Sequence, residues 1–177
     1  MILTSHFLGA ILNGLLYRNY GKKKENLINN KINIFIKNQK NTMEDAMLSS
    51  IKSILIIGGY ISLSFLIIGI LNDFGIIKIL SKFLSCCIGI DYNIINSFLN
   101  GLVEVTKGGL DLSQLNLNND ILAMLLTGII SFGGFSIILQ ALNFLRKAEI
   151  KISIFLLQKT TQSVISVLIC FLLTLIF

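Results

Sequence analysis

The residue of this sequence best placed to do chemistry is a carboxylate among apolar neighbours. It is Glu104, in Asn100-Gly101-Leu102-Val103-Glu104-Val105-Thr106-Lys107-Gly108-Gly109. An ionisable side chain is costly at membrane depth, and where one is held there it binds an ion or solute or relays a proton. Thr106 adds a hydroxyl two residues on, and Gly108 with Gly109 ends the segment. A second stretch, Ser131-Phe132-Gly133-Gly134-Phe135, interrupts another apolar run. Ser136, Gln140 and Asn143 follow it at i, i+4 and i+7, which places three hydrogen-bonding side chains on one helix face. A few convergent polar groups in apolar walls are the usual form of a small-solute site. Irregular backbone at membrane depth persists only where it is buried or lines a cavity, and a broken helix offers free N–H groups at its positive end. The two stretches are therefore expected to face one another across a solute. Rival readings stand beside this one: Glu104 and Lys107 at i+3 form a structural ion pair, and Gly133-Gly134 is a packing notch. No Ser/His/Asp arrangement, metal-ligand cluster or phosphate loop accompanies these residues, so no catalysis, metal or cofactor is expected.

The elements that position these residues are apolar. The 177 residues are 54% hydrophobic and 14% charged, with no proline, a balance more hydrophobic and less charged than that of ordinary globular domains. The net charge of +6 does not point to nucleic acid. Of 15 Lys and Arg, eight lie between Arg18 and Lys52 and three between Arg146 and Lys151, in the gaps between apolar runs where the positive-inside rule expects them. Cys86, Cys87 and Cys170 make no disulfide framework.

The chain divides accordingly. Residues 1–17 read as a transmembrane helix, short for a full crossing and expected to be incomplete or tilted, with Ser5, Gly9 and Asn13 on one packing face. His6 on it has no partner nearby in sequence and reads as a packing or interfacial residue. Residues 18–50 read as a basic cytoplasmic loop containing Lys22-Lys23-Lys24 and a helix start capped by Thr42. Residues 51–177 form the remaining membrane region. Spans are expected near 51–71, 121–145 and 152–177, with a re-entrant segment near 93–107 that Gly108-Gly109 terminates. Gly58-Gly59 is expected to allow close helix contact. Residues 74–90, with Lys78 and Lys82 one turn apart, fit either an interfacial helix or a weakly amphipathic span. Gln158, Thr161 or Gln162, and Ser166 make a polar stripe on the last span, with helix–helix contact as its main reading. The fold class is all-α, a polytopic integral membrane protein with re-entrant or broken helices.

Three blocks carry a resemblance to a known family. They are Thr4-Ser5-His6-Phe7-Leu8-Gly9 running to Gly14 and Arg18, then Gly101-Leu102-Val103-Glu104-Val105-Thr106-Lys107-Gly108, then Ser131-Phe132-Gly133-Gly134 with Gln140. Together they resemble the C-terminal half of the sporulation integral membrane protein YlbJ (SpoVV) family, whose members carry nucleoside-recognition gate regions. The resemblance implies half of a concentrative-nucleoside-transporter-like fold in the cell membrane or outer forespore membrane of a spore-forming bacterium. It also implies transport of a small solute, dipicolinic acid. A non-transporting membrane subunit of a sporulation complex, and a nucleoside or cation transporter of the gate class, are the alternatives. Family chains are roughly twice as long as this one. The lipid bilayer is one expected partner, and an N-terminal half encoded separately, or a second copy of this chain, is another.

Overall fold

The computed structural model describes residues 1–19, 43–147 and 150–176. Lys22-Lys23-Lys24 and the Thr42 cap lie outside the described residues. Eight helices follow in order: α1 (Ile2–Tyr17), α2 (Met43–Asp73), α3 (Ile76–Ile88), α4 (Tyr92–Val103), α5 (Val105–Ser113), α6 (Asn119–Phe132), α7 (Gly134–Lys147) and α8 (Ile152–Thr174). Among the described residues three stretches are long and apolar enough to cross a membrane: Met43–Asp73, Ile152–Thr174, and Asn119–Leu142 taken across the break between α6 and α7.

The distribution of side chains is that of a protein solvated by lipid. Ser5, Ser64, Thr127, Ser131 and Ser166 are fully buried, while Leu3, Phe7, Ile54, Leu55 and Leu168 are more than half exposed. In water this arrangement would be unfavourable, because apolar surface is driven inward. In a bilayer the tails solvate Leu and Phe, and helices associate through small residues that permit close packing. The protein is an all-α polytopic integral membrane protein.

The helices pack as two joined groups. In one, α8 lies against α6 and α1, and α1 against α6; in the other, α2 lies against α7 and α3, and α4 contacts α3, α6 and α7. Ser5, Gly9 and Asn13 are the buried face of α1. Asn13 Nδ2 donates to the Gln158 carbonyl at 3.1 Å, and Thr161 Oγ1 donates to Asn13 Oδ1 at 2.7 Å. These bonds set the end of α1 beside the start of α8, so the chain segments carrying Arg18 and Lys151 emerge at the same end.

Several segments differ from what the sequence predicts. The helix expected at 51–71 runs from Met43 to Asp73. Among the described residues nothing lies within 4 Å of where a Cβ on Gly58 or Gly59 would stand, so these make no packing notch there. The segment expected at 93–107 does not end at Gly108-Gly109: α5 runs through both glycines to Ser113. The chain breaks instead at Glu104, between α4 and α5. In the 74–90 segment, α3 has 13 residues, about 20 Å of helix, too short to cross the ~30 Å hydrocarbon core. It buries Ile77 and Ser81 and exposes Lys78 and Lys82.

Candidate solute site at two helix breaks

The first break is built by Glu104 itself. Its backbone is extended (φ −141°, ψ 115°), which stops α4 and starts α5. Oε1 accepts from the Thr106 backbone N–H at 3.1 Å and from Thr106 Oγ1 at 2.8 Å. The side chain thus caps the N-terminus of α5, where a negative charge is favoured by the helix dipole. Glu104 is only 3% exposed, and its second oxygen, Oε2, is buried without a hydrogen-bond partner among the described residues. A carboxylate oxygen left this way costs free energy unless something else donates to it.

The arms of the hairpin lie antiparallel and touch backbone to backbone. A Cβ on Gly108 would overlap Cα and N of Gly101, so this crossing needs glycine at 108, whereas a Cβ on Gly101 would be crowded chiefly by the Ile129 side chain, 3.0 Å away. Gly108 is therefore a packing position of the tip. Thr106 is the partner of Glu104, its hydroxyl already committed.

The second break lies against the first. Gly133 (φ +88°) ends α6, its N–H donating to the Ile129 carbonyl, and Gly134 (φ +66°) opens α7. Both are in the left-handed region that only glycine enters at low cost. A Cβ on Gly134 would stand 3.1 Å from Val105 Cγ2 and 3.3 Å from the carbonyl oxygens of Gly101 and Val103. The two stretches singled out in the sequence thus meet. Ser131 and Ser136 are buried on either side of the break, and Gln140 is half-buried. The side chain of Asn143 lies outside the described residues. Gly134→Ala is expected to combine left-handed strain with crowding against fixed carbonyls, a loss of at least about 1–2 kcal/mol. A lower thermal midpoint in detergent is the readout.

Three polar contacts were not legible in the sequence. His6 Nδ1 lies 3.0 Å from Ser131 Oγ, so α1 delivers an imidazole to the turn before the second break. Its partner is 125 positions away, which no local spacing reveals. Lys107 does not pair with Glu104: its ammonium binds Asp111 at i+4, 2.6 Å away. Asn100 Nδ2 donates to the other Asp111 oxygen at 3.0 Å. Beside this network an open cleft of about 490 Å³ is lined by Asn72, Asn96, Asn100, Lys107, Asp111 and Gln114, among others. One signal for it was available: Asn93, Asn96, Ser97 and Asn100 recur at i, i+3, i+4 and i+7, a polar face on a helix in otherwise apolar sequence.

Apolar-faced spans, a helical hairpin turning at a buried carboxylate and a through-going helix broken against its tip define a class: polytopic membrane proteins with broken helices. Within that class, the chain is similar to the sporulation integral membrane protein YlbJ of Bacillus subtilis (strain 168), with 24% identity over 185 residues. The match covers 93% of this chain and 45% of that protein, so the chain spans about half the length of the curated relative it matches. This agrees with the family resemblance carried by the Glu104 and Ser131 to Gln140 blocks. No protein-family model matches the sequence, and no solved structure matches it.

Proposed function

We propose that this chain acts in sporulation as the C-terminal half of a membrane transporter that moves a small solute, dipicolinic acid, across the outer forespore membrane. The observation that carries transport is Glu104: a nearly fully buried carboxylate with one oxygen unpartnered among the described residues, at the contact of two helix breaks. Groups of this kind mark ion and solute paths in membrane proteins. The sporulation context comes from the similarity to YlbJ. A dianion would be repelled by Glu104, so the carboxylate takes a coupling proton or cation, and the anion is met by free N–H groups such as those opening α7. The chain works with an N-terminal half or a second copy, since inverted-repeat transporters place their site between two halves.

The unpartnered Oε2 also favours a second reading, a gate-class transporter of cations or of hydroxyl-rich nucleosides, because it is an acceptor. Uptake into membrane vesicles carrying the chain, with its N-terminal counterpart co-expressed, separates the readings. Labelled dipicolinate is expected to accumulate and labelled uridine is not. Uridine or cation uptake alone would establish the second reading. Correct insertion with no uptake of any of them would leave a non-transporting subunit.

A further inference from the structure

The short helix α3 divides its surface into three sectors, roughly 100–130° apart at about 100° per residue. Ile77 and Ser81 form the first; both are buried, and Ser81 Oγ lies 3.3 Å from Asn96 Oδ1 on α4. Ile76, Ile79, Leu80 and Phe83 form the second and line an open hollow of about 400 Å³. Ile79 and Phe83 are 70% and 62% exposed. Lys78 and Lys82, exposed and one turn apart, form the third. Among the described residues neither lysine has an ion-pair or hydrogen-bond partner, whereas Lys107 is held by Asp111. The nearest carboxylates in sequence stand beyond the two ends of the helix. Asp73 closes α2, and Asp91 caps α4 with its Oδ1 on the Asn93 N–H.

Helix α2 leads away from the basic segment that precedes it, so α3 stands toward the non-cytoplasmic side, where the positive-inside rule expects few lysines. Two uncompensated ammonium groups there match an anionic partner. The adjoining apolar sector, uncovered among the described residues, matches acyl chains. One molecule supplies both. We infer that α3 holds an anionic phospholipid of the non-cytoplasmic leaflet, with its tails along Ile76, Ile79, Leu80 and Phe83 and its phosphate at Lys78 and Lys82. Lysine suits this arrangement, because its stem lies along apolar surface while its ammonium reaches the headgroups. Since α3 also contacts α4, a lipid held on its outer side braces the first arm of the hairpin. Lipid binding here is independent of what the chain transports.

The test uses the full chain in liposomes with a fluorophore on Cys87, which is exposed on α3, in a Cys86→Ser background; Cys170 is buried. The quenchers are phosphatidylglycerol and phosphatidylcholine carrying the same brominated tails, so only the headgroup differs. The label reads lipid beside α3 and is blind to lipid at the basic cytoplasmic segments. Phosphatidylglycerol is expected to quench at a lower mole fraction, by about fivefold for each lysine and about 25-fold for the pair. Lys78→Gln or Lys82→Gln alone should cut this preference about fivefold, and the two together should abolish it. Arginine at both positions should keep it. Lys78→Glu with Lys82→Glu should reverse it in favour of phosphatidylcholine, a change that loss of the fold cannot produce. Equal quenching by the two lipids, or a preference that the double glutamine variant retains, overturns the inference. So does absence of quenching by either lipid, which would assign this face of α3 to a covering protein.

Discussion

Gly108→Ala is expected to prevent the hairpin from closing. The added methyl would overlap Cα and N of Gly101, and it would lie 2.9 Å from the Ser97 carbonyl oxygen. All three are backbone atoms of α4, so no rotamer change relieves the contact and the arms must separate. Overpacking against rigid neighbours costs about 1–3 kcal/mol and sometimes more; here the upper end applies, because separation also pulls Lys107 and Asp111 away from Asn100. The neighbouring glycine is the control. A Cβ on Gly109 would meet only Leu126 Cδ2, at 3.7 Å, an ordinary contact, and alanine there gains helix propensity of up to about 1 kcal/mol. Thermal unfolding in detergent should therefore show a large fall for Gly108→Ala and no fall for Gly109→Ala. Equal behaviour of the two would remove the backbone crossing as the reason for glycine at 108.

Glu104→Gln is expected to separate the cap from the charge. A glutamine carbonyl can still accept from the Thr106 N–H and hydroxyl, as Oε1 does now, so insertion and thermal midpoint should stay near those of the unaltered chain. The second oxygen becomes an amide, a donor where an acceptor stood. Dipicolinate uptake is expected to drop about 10- to 100-fold, the worth of one hydrogen bond to a charged group. Glu104→Ala should lose uptake as well and, having lost the cap, about 1 kcal/mol of stability. Uptake at the full rate in Glu104→Gln would assign Glu104 to structure alone.

The sequence was most informative where a residue's local cost had no local return. Two adjacent glycines in mid-span marked one break, and a carboxylate in apolar flanks singled out the residue at which the other occurs, although the sequence put that helix end at Gly108-Gly109; the two stretches touch. It misled where one residue type serves opposite ends. Gly108-Gly109 reads as a helix stop because glycine is a poor helix former, yet α5 runs through both, since Gly108 is required by the close approach of α4. Gly58-Gly59 reads as a contact face, yet among the described residues nothing lies within 4 Å of a Cβ added at either. Glycine alone does not say which neighbour, if any, comes close. Lys107 had acidic residues at i−3 and at i+4, and the extended backbone at Glu104 turns that carboxylate inward to cap α5, leaving Asp111 on the helix surface. The His6–Ser131 contact depends on how α1 docks on α6, which no periodicity within α1 encodes.

The length of α4 has an electrical consequence. Its 12 residues rise about 18 Å, so a hairpin entering along the membrane normal holds Glu104 roughly 60% of the way through the ~30 Å hydrocarbon core. An ion bound at the tip of such a hairpin would cross about the same fraction of the transmembrane field, worth about 1.4 kcal/mol per 100 mV. Its affinity would change about tenfold with each 100 mV, and the membrane voltage would become a reactant at the hairpin tip.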